Sequence, residues 1–367
     1  MKFTCEKALL VSAVSVAGRT VSPKSTIPCL EGILLRAGVG VQLTGFNLET
    51  GITVKVEADV KEAGVCVMPA RLFFDIIRKL PDEEVTVEVD DKLQVSIRGG
   101  VSSFKITAMD AEDYPELPEV NAEQGIGIPQ QALREMIGGT IFSASENQAR
   151  PILTGCLFEV EADSVTMVAV DGMRLARRTW HSEAPIGRTE KFVVPATALR
   201  EVEKILSETD EPAVFTLGAK HILFEIGNAV LVCRILDGEF LNWRNAIPTK
   251  SPTILTANVA ELMSSIERVS LIVSEKMKSP VRCTFGDNIA DFRTVNTIGS
   301  AHDTCAIAGN GGDLEIGFNC RFLLDALRAV PGEEVTLGLN NGLTQLVLTP
   351  VDDKYDFAYM VLPVRLH

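Results

Sequence analysis

Three eleven-residue segments of this 367-residue chain align without a gap, and that repeat constrains the fold more than any other feature. They are Ala70 to Leu80 (ARLFFDIIRKL), Ala196 to Leu206 (ATALREVEKIL) and Cys320 to Val330 (CRFLLDALRAV). Apolar residues share four columns: Leu72, Ala198 and Phe322; Phe73, Leu199 and Leu323; Ile76, Val202 and Ala326; Leu80, Leu206 and Val330. That spacing puts one apolar stripe on a helix. An alternating segment follows each helix, Val85 to Val89, Val214 to Leu217 and Val335 to Leu339, and then a turn and a returning strand. Asp90-Asp91 marks one turn, and Asn340-Asn341-Gly342 reads as a hairpin.

Each copy carries a second amphipathic helix nearer its start, at Lys7 to Thr20, Pro129 to Ser143 and Asn258 to Val273. The first contains the apolar run Ala8 to Gly18, which taken alone imitates a secretory leader. Its equivalence to two internal helices favours the helical reading. Pro28-Cys29-Leu30-Glu31-Gly32 and Pro151-Ile152-Leu153-Thr154-Gly155 share P-x-L-x-G, and a weaker third copy begins at Pro280-Val281. The expected architecture is α+β: three repeated domains of two helices with antiparallel sheets, at residues 1–120, 125–248 and 252–367. Linkers are expected near Pro118 to Gln124 and Pro248 to Pro252.

Composition matters here mainly for what it excludes. At 46% apolar and 23% charged the chain is ordinary globular material, and no stretch reaches membrane-spanning length. Eight scattered cysteines with no CxxC read as reduced core thiols of a cytoplasmic protein. His181, His221, His302 and His367 lie far from one another and from metal-ligand spacing, and no phosphate loop or nucleophile motif is present. Gly309 to Asp313 reads as an exposed turn, and Asp171-Gly172 and Asp237-Gly238 read as turn dipeptides before they read as catalytic acids. No catalytic group, metal or cofactor is expected.

The net charge of -14 argues against bulk attraction to nucleic acid. Its distribution argues otherwise. The six helical segments hold eleven basic and seven acidic residues, a sum of +4, so the remainder carries -18. Arg78, Lys204 and Arg328 share one register of the aligned helices, and Asp75, Glu201 and Asp325 share another three residues earlier. The bland reading is an i,i+3 ion pair worth a few tenths of a kcal/mol; the functional one is a mildly basic face on an acidic protein.

Six stretches then carry a specific resemblance: Met1-Lys2-Phe3-Thr4, Val67 to Asp75, Val170 to Ala176, Leu236 to Phe240, Glu315 to Asn319, and Tyr359 to Leu366. In this order and spacing the chain resembles the bacterial replicative sliding clamp family, the beta subunit of DNA polymerase III. The resemblance implies a head-to-tail homodimer closed into a six-domain ring around duplex DNA, bound without regard to sequence. It also implies recruitment of the polymerase III catalytic subunit, the clamp loader and other clamp-binding-motif proteins through a peptide pocket, with no membrane partner. A size estimate agrees. A 120-residue domain is roughly 30 Å wide, so three leave almost no central hole and six leave one of roughly 30 Å.

By position in the family pattern, Lys24, Arg71 and Arg78 are the expected phosphate contacts, and the repeat register adds Lys204 and Arg328. The matching peptide-pocket positions are Leu153, Val170, Gly172, Met173, Arg174, Leu175, Phe322, Leu362, Pro363, Val364 and Arg365; the bland alternative is ordinary core and a hairpin turn. Phe104 matches the aromatic residue that packs across the junction between protomers, and Leu271 with Ile272 match its apolar partners. Met173, Asn245 and His367 depart from the usual family residues, which bears on the peptide preferred. The competing readings are a peptide-binding repeat scaffold that never encircles DNA and a metal-dependent nuclease built on Asp171 and Asp237.

Overall fold

The computed structural model describes residues 1–81, 83–120, 124–273 and 280–366, so His367 and the middle of the first expected linker lie outside it. Among the described residues there are six α-helices: α1 Lys7–Ala17, α2 Ala70–Lys79, α3 Gln130–Gly138, α4 Ala196–Ile205, α5 Val259–Ser270 and α6 Cys320–Arg328. The leader-like run is therefore α1, and it buries Leu10, Ala13, Val14 and Ala17. α1 ends earlier than the apolar pattern because Gly18–Thr20 tighten into a 3-10 turn, with the Thr20 hydroxyl donating to the Gly45 carbonyl at 2.8 Å. α2 and α6 both stop just short of a proline, Pro81 and Pro331, whose ring disfavours helical backbone in the residue before it. At the N-termini of α5 and α6 the Asn258 and Asn319 side chains accept backbone N–H bonds from Glu261 and Arg321, each at 3.0 Å. The expected stripe is buried at every column except the first, where Leu72 is exposed and Phe322 half-buried.

Three repeated domains with antiparallel sheets make up the chain, yet two compact units divide it. One is Met1–Leu133 with Arg200–Ile235; the other is Arg134–Leu199 with Leu236–His367. The division runs through the central repeat because each of its sheets continues into a neighbour's. In the first unit, Ala229–Arg234 of the central repeat pairs antiparallel with Thr50–Val56 of the first, joining two four-stranded halves into an eight-stranded sheet. In the second, Asp356–Val361 of the last repeat pairs with Arg174–His181 of the central one inside a ten-stranded sheet. The equivalent strand of the first repeat, Ser102–Thr107, is the edge of a five-stranded sheet and, among the described residues, has a neighbour on one side alone.

The ladders fix residue equivalences that the helices cannot. Phe104 faces Ile97, Leu231 faces Phe224 and Tyr359 faces Leu348 in the matching hairpins, which makes Phe104, Leu231 and Tyr359 counterparts. Across the joined sheets Leu231 faces Ile52 and Tyr359 faces Ala176. Ahead of these partners lies one turn used three times. The side-chain carbonyl of Asn47 accepts from the N–H groups of Glu49 and Thr50, that of Asn296 from Ile298 and Gly299, and the carboxylate of Asp171 from Met173 and Arg174. Gly172 at φ 94° and Leu48 at φ 74° hold the same left-handed position in two of them.

One sequence expectation needs correction. Gly309 to Asp313 is no turn but a kink inside the long strand Ser300–Phe318, where the ladder to Val281–Val295 slips register. Gly311 is required there, since a Cβ would lie 2.3 Å from the Phe285 carbonyl oxygen. The hairpin expected across Asn340-Asn341-Gly342 forms, with Glu334–Leu339 pairing antiparallel to Leu346–Thr349, and Gly342 in its loop allows close approach to the Glu315 carbonyl oxygen, 2.5 Å from where its Cβ would sit. The eight cysteines are free thiols, seven of them buried. Burial pushes Cys66 and Cys305 to about 11 and Cys5 and Cys233 to about 12.

Candidate functional site

The expected peptide-pocket residues converge in the second unit around the Asp171 turn. Arg174 is the only arginine at this position of the three turns; Thr50 and Gly299 occupy it in the others. Its side chain is 8% exposed, donates from Nε to Asp171 at 2.8 Å and from Nη1 to Asp325 of α6 at 2.7 Å, and lies 4.4 Å above the Phe322 ring. A buried guanidinium needs this: two carboxylates offset its lost hydration, and the aromatic face adds a cation–π contact. Leu153, Val170 and Leu175 belong to one buried cluster with Val193, Phe240, Trp243, Val347 and Met360. They lie beneath the surface rather than on it, Leu175 being wholly buried. Leu362, Pro363 and Val364 are half-buried and Arg365 exposed, while Met173 on the turn is 38% exposed.

Two strand-like bonds strap the C-terminal segment over this cluster, from the Leu362 N–H to the Met173 carbonyl and from the Val364 N–H to the Gly317 carbonyl, both at 2.8 Å. Gly317 makes the second possible, since a Cβ there would lie 2.7 Å from Leu366 Cδ2. Half-buried Ile152, Leu241 and Ile247 continue the apolar rim. Sequence reasoning missed Trp243, which is anchored through a buried acid. Glu159 accepts from Trp243 Nε1 at 3.2 Å and pairs with Lys191 at 2.9 Å and Arg244 at 2.8 Å, and the Arg244 guanidinium stacks 4.3 Å from the Trp243 ring. Burial alone would raise the Glu159 pKa, but the bonds to Lys191 and Arg244 outweigh it and hold the carboxyl below its usual value. A buried strand Glu next to a Trp-Arg pair was the available signal.

The expected phosphate contacts fall into two groups. Lys24, in the loop after Thr20, and Arg71, in the first turn of α2, are exposed and have no ion-pair partner among the described residues. Arg78, Lys204 and Arg328 are exposed but paired: Arg78 with Asp75 at 3.6 Å, Lys204 with Glu201 at 2.8 Å, and Arg328 with Asp325 at 3.6 Å and Glu267 at 2.9 Å. The bland i,i+3 reading thus describes all three copies. Of the expected junction residues, Phe104 is 40% exposed on the open edge strand, Leu271 is 84% exposed after α5, and Ile272 is half-buried.

Sequence models of the N-terminal, central and C-terminal domains of the DNA polymerase III beta subunit match residues 1–118, 127–242 and 244–365. The beta sliding clamp of Bacillus subtilis is 31% identical over 380 residues, with each chain fully covered. A putative DNA polymerase III beta subunit from Eubacterium rectale superimposes with a TM-score of 0.93 at 32% identity over 99% of both chains. The sliding clamp of Pseudomonas aeruginosa bound to griselimycin superimposes with a TM-score of 0.93 at 28% identity over the full length of both. The chain belongs to the DNA polymerase III beta subunit family.

Proposed function

We infer that this chain is a DNA sliding clamp, a non-catalytic processivity subunit that encircles duplex DNA in the cytoplasm and tethers the polymerase. Residues 1–120, 125–248 and 252–367 are its three repeats. The observation that carries the ring is the unpaired edge strand Ser102–Thr107. Its two counterparts are each paired with the preceding repeat, whereas Ser102–Thr107 has an open side among the described residues. A second copy supplies a neighbour: the start of Ser300–Phe318, which is the counterpart of Thr50–Val56 and Arg174–His181. Two such junctions close three repeats and three repeats into a six-domain ring. Phe104 and Leu271 fit the same logic. Their counterparts Tyr359 and Phe142 pack edge to face at 5.5 Å within one chain.

A ring holds DNA by topology, so it needs little direct charge. Each phosphate neutralised adds to the salt dependence of binding, and a clamp that must slide gains from few such contacts. Of the expected contacts, Lys24 and Arg71 have no ion-pair partner among the described residues and suit that role, with Arg78, Lys204 and Arg328 already sharing their charge with carboxylates. The pocket around Met173, Arg174 and Leu362 to Arg365 takes hydrophobic-anchored peptides of the polymerase, the clamp loader and other partners, and griselimycin, bound by the Pseudomonas relative, is the probe for it. Loading the protein onto circular duplex DNA and then linearising the circle tests the ring: release on linearisation is expected, and retention overturns the topological reading.

A further inference from the structure

We propose that Asp325 of α6 is a positioning residue of the peptide pocket, acting through Arg174, and that the pair presents one fixed guanidinium edge to a hydrogen-bond acceptor of the bound peptide. The proposal rests on the pocket reading above. In the sequence Asp325 looks like an ordinary helix-surface acid, the register partner of Arg328. In the fold its shortest ionic contact is instead with Arg174, at 2.7 Å against 3.6 Å to Arg328 and 3.9 Å to Arg321. Among the described residues the Asp75 counterpart pairs only with its i+3 neighbour, and the Glu201 counterpart keeps its shortest contact there.

The repeat shows that the turn itself does not need the arginine. The same Asx-type turn forms in the first repeat with Thr50, and in the third with Gly299, where the central repeat has Arg174. An arginine buried at this one position therefore serves something the turn itself does not require. Its geometry says what. Asp171 takes Nε, Asp325 takes Nη1 and Phe322 covers one face, while nothing among the described residues bonds to Nη2. Arginine's donors are set in a rigid plane, so fixing two of them aims the third. Met173 precedes Arg174 on the same turn and Leu362 bonds to the Met173 carbonyl, so exposed and half-buried apolar surface adjoins the arginine. The ligand class is an apolar-anchored peptide with a backbone carbonyl or carboxylate placed to accept from Nη2.

The test is titration of the full-length protein with griselimycin. Asp325→Asn should weaken binding about tenfold, the size of one charge-assisted hydrogen bond lost from good alignment. Asp325→Glu, which keeps a carboxylate near Arg174, should recover most of it. The deciding measurement is the double-mutant cycle: in an Arg174→Ala background Asp325→Asn should have no further effect, because its influence passes through the guanidinium. Unchanged affinity in Asp325→Asn, or effects that simply add in the cycle, would overturn the proposal. Failure of the unaltered chain to bind griselimycin would instead overturn the pocket reading and this inference with it.

Discussion

At the scale of single residues, pairing state separates the helix cations proposed to contact DNA. Lys204 sits 2.8 Å from Glu201, so a phosphate would have to compete with a carboxylate already in place. Arg71 has no such competitor among the described residues. Arg71→Ala is therefore expected to lower the slope of log affinity against log salt by about one for duplex contact, and Lys204→Ala by much less. Salt titration of reversible binding to short linear duplex reads the difference; equal slopes for both variants would contradict it. Sequence put both residues in one list, because register equates positions on a helix while saying nothing about neighbours from other elements. Arg174 shows the same limit. Its motif position was legible, but its second carboxylate, Asp325, stands 151 residues away and was assigned to another role.

At the scale of elements, all six helices and the hairpin order were legible, since a 3.6-residue apolar period and alternation survive without knowledge of the tertiary fold. What escaped was whatever depended on two elements meeting: the kink at Gly309 to Asp313, the close approach of Gly342, and the loop that carries Trp243. That loop offers a titration. Glu159 holds it through Trp243, Lys191 and Arg244, and its pKa is lowered on folding. A group with a lowered folded pKa stabilises fully above its unfolded value, about 4.3, and loses that stabilisation as pH falls through the folded one. The Trp243 loop is thus expected to hold at pH 6 and loosen below about pH 4, with Glu159→Gln loosening it at pH 6 and removing the acid dependence. Trp243 fluorescence in a Trp180→Phe background follows this directly. An emission profile still falling with acid in Glu159→Gln would assign the transition to another group.

At the scale of the whole molecule, the ring closure implied by the family resemblance becomes a register once the two internal junctions are used as templates. Val230 faces Thr53 and Ala358 faces Arg177 across the joined sheets, and Leu231 faces Ile52 as Tyr359 faces Ala176. Carrying the same offset to the open edge puts Phe104 of one protomer opposite Ala301 of its partner and Ser103 opposite His302, with Phe104 on the Leu271 side and Ser103 facing outward. Cβ atoms directly opposite in an antiparallel pair lie about 4.5–5.5 Å apart, near enough for a disulfide after slight adjustment, while a two-residue slip puts them beyond reach. The chain with Ser103→Cys and His302→Cys should therefore oxidise to covalent dimers, and the chain with Ser103→Cys and Ser300→Cys should not. Non-reducing electrophoresis separates the two. A covalent dimer from the second pair alone would shift the register and displace Phe104 from Leu271. A ring joined at both sites by the first pair should also stay on circular DNA at salt concentrations that open the native interface, because the cross-links remove ring opening, the one route off a closed circle.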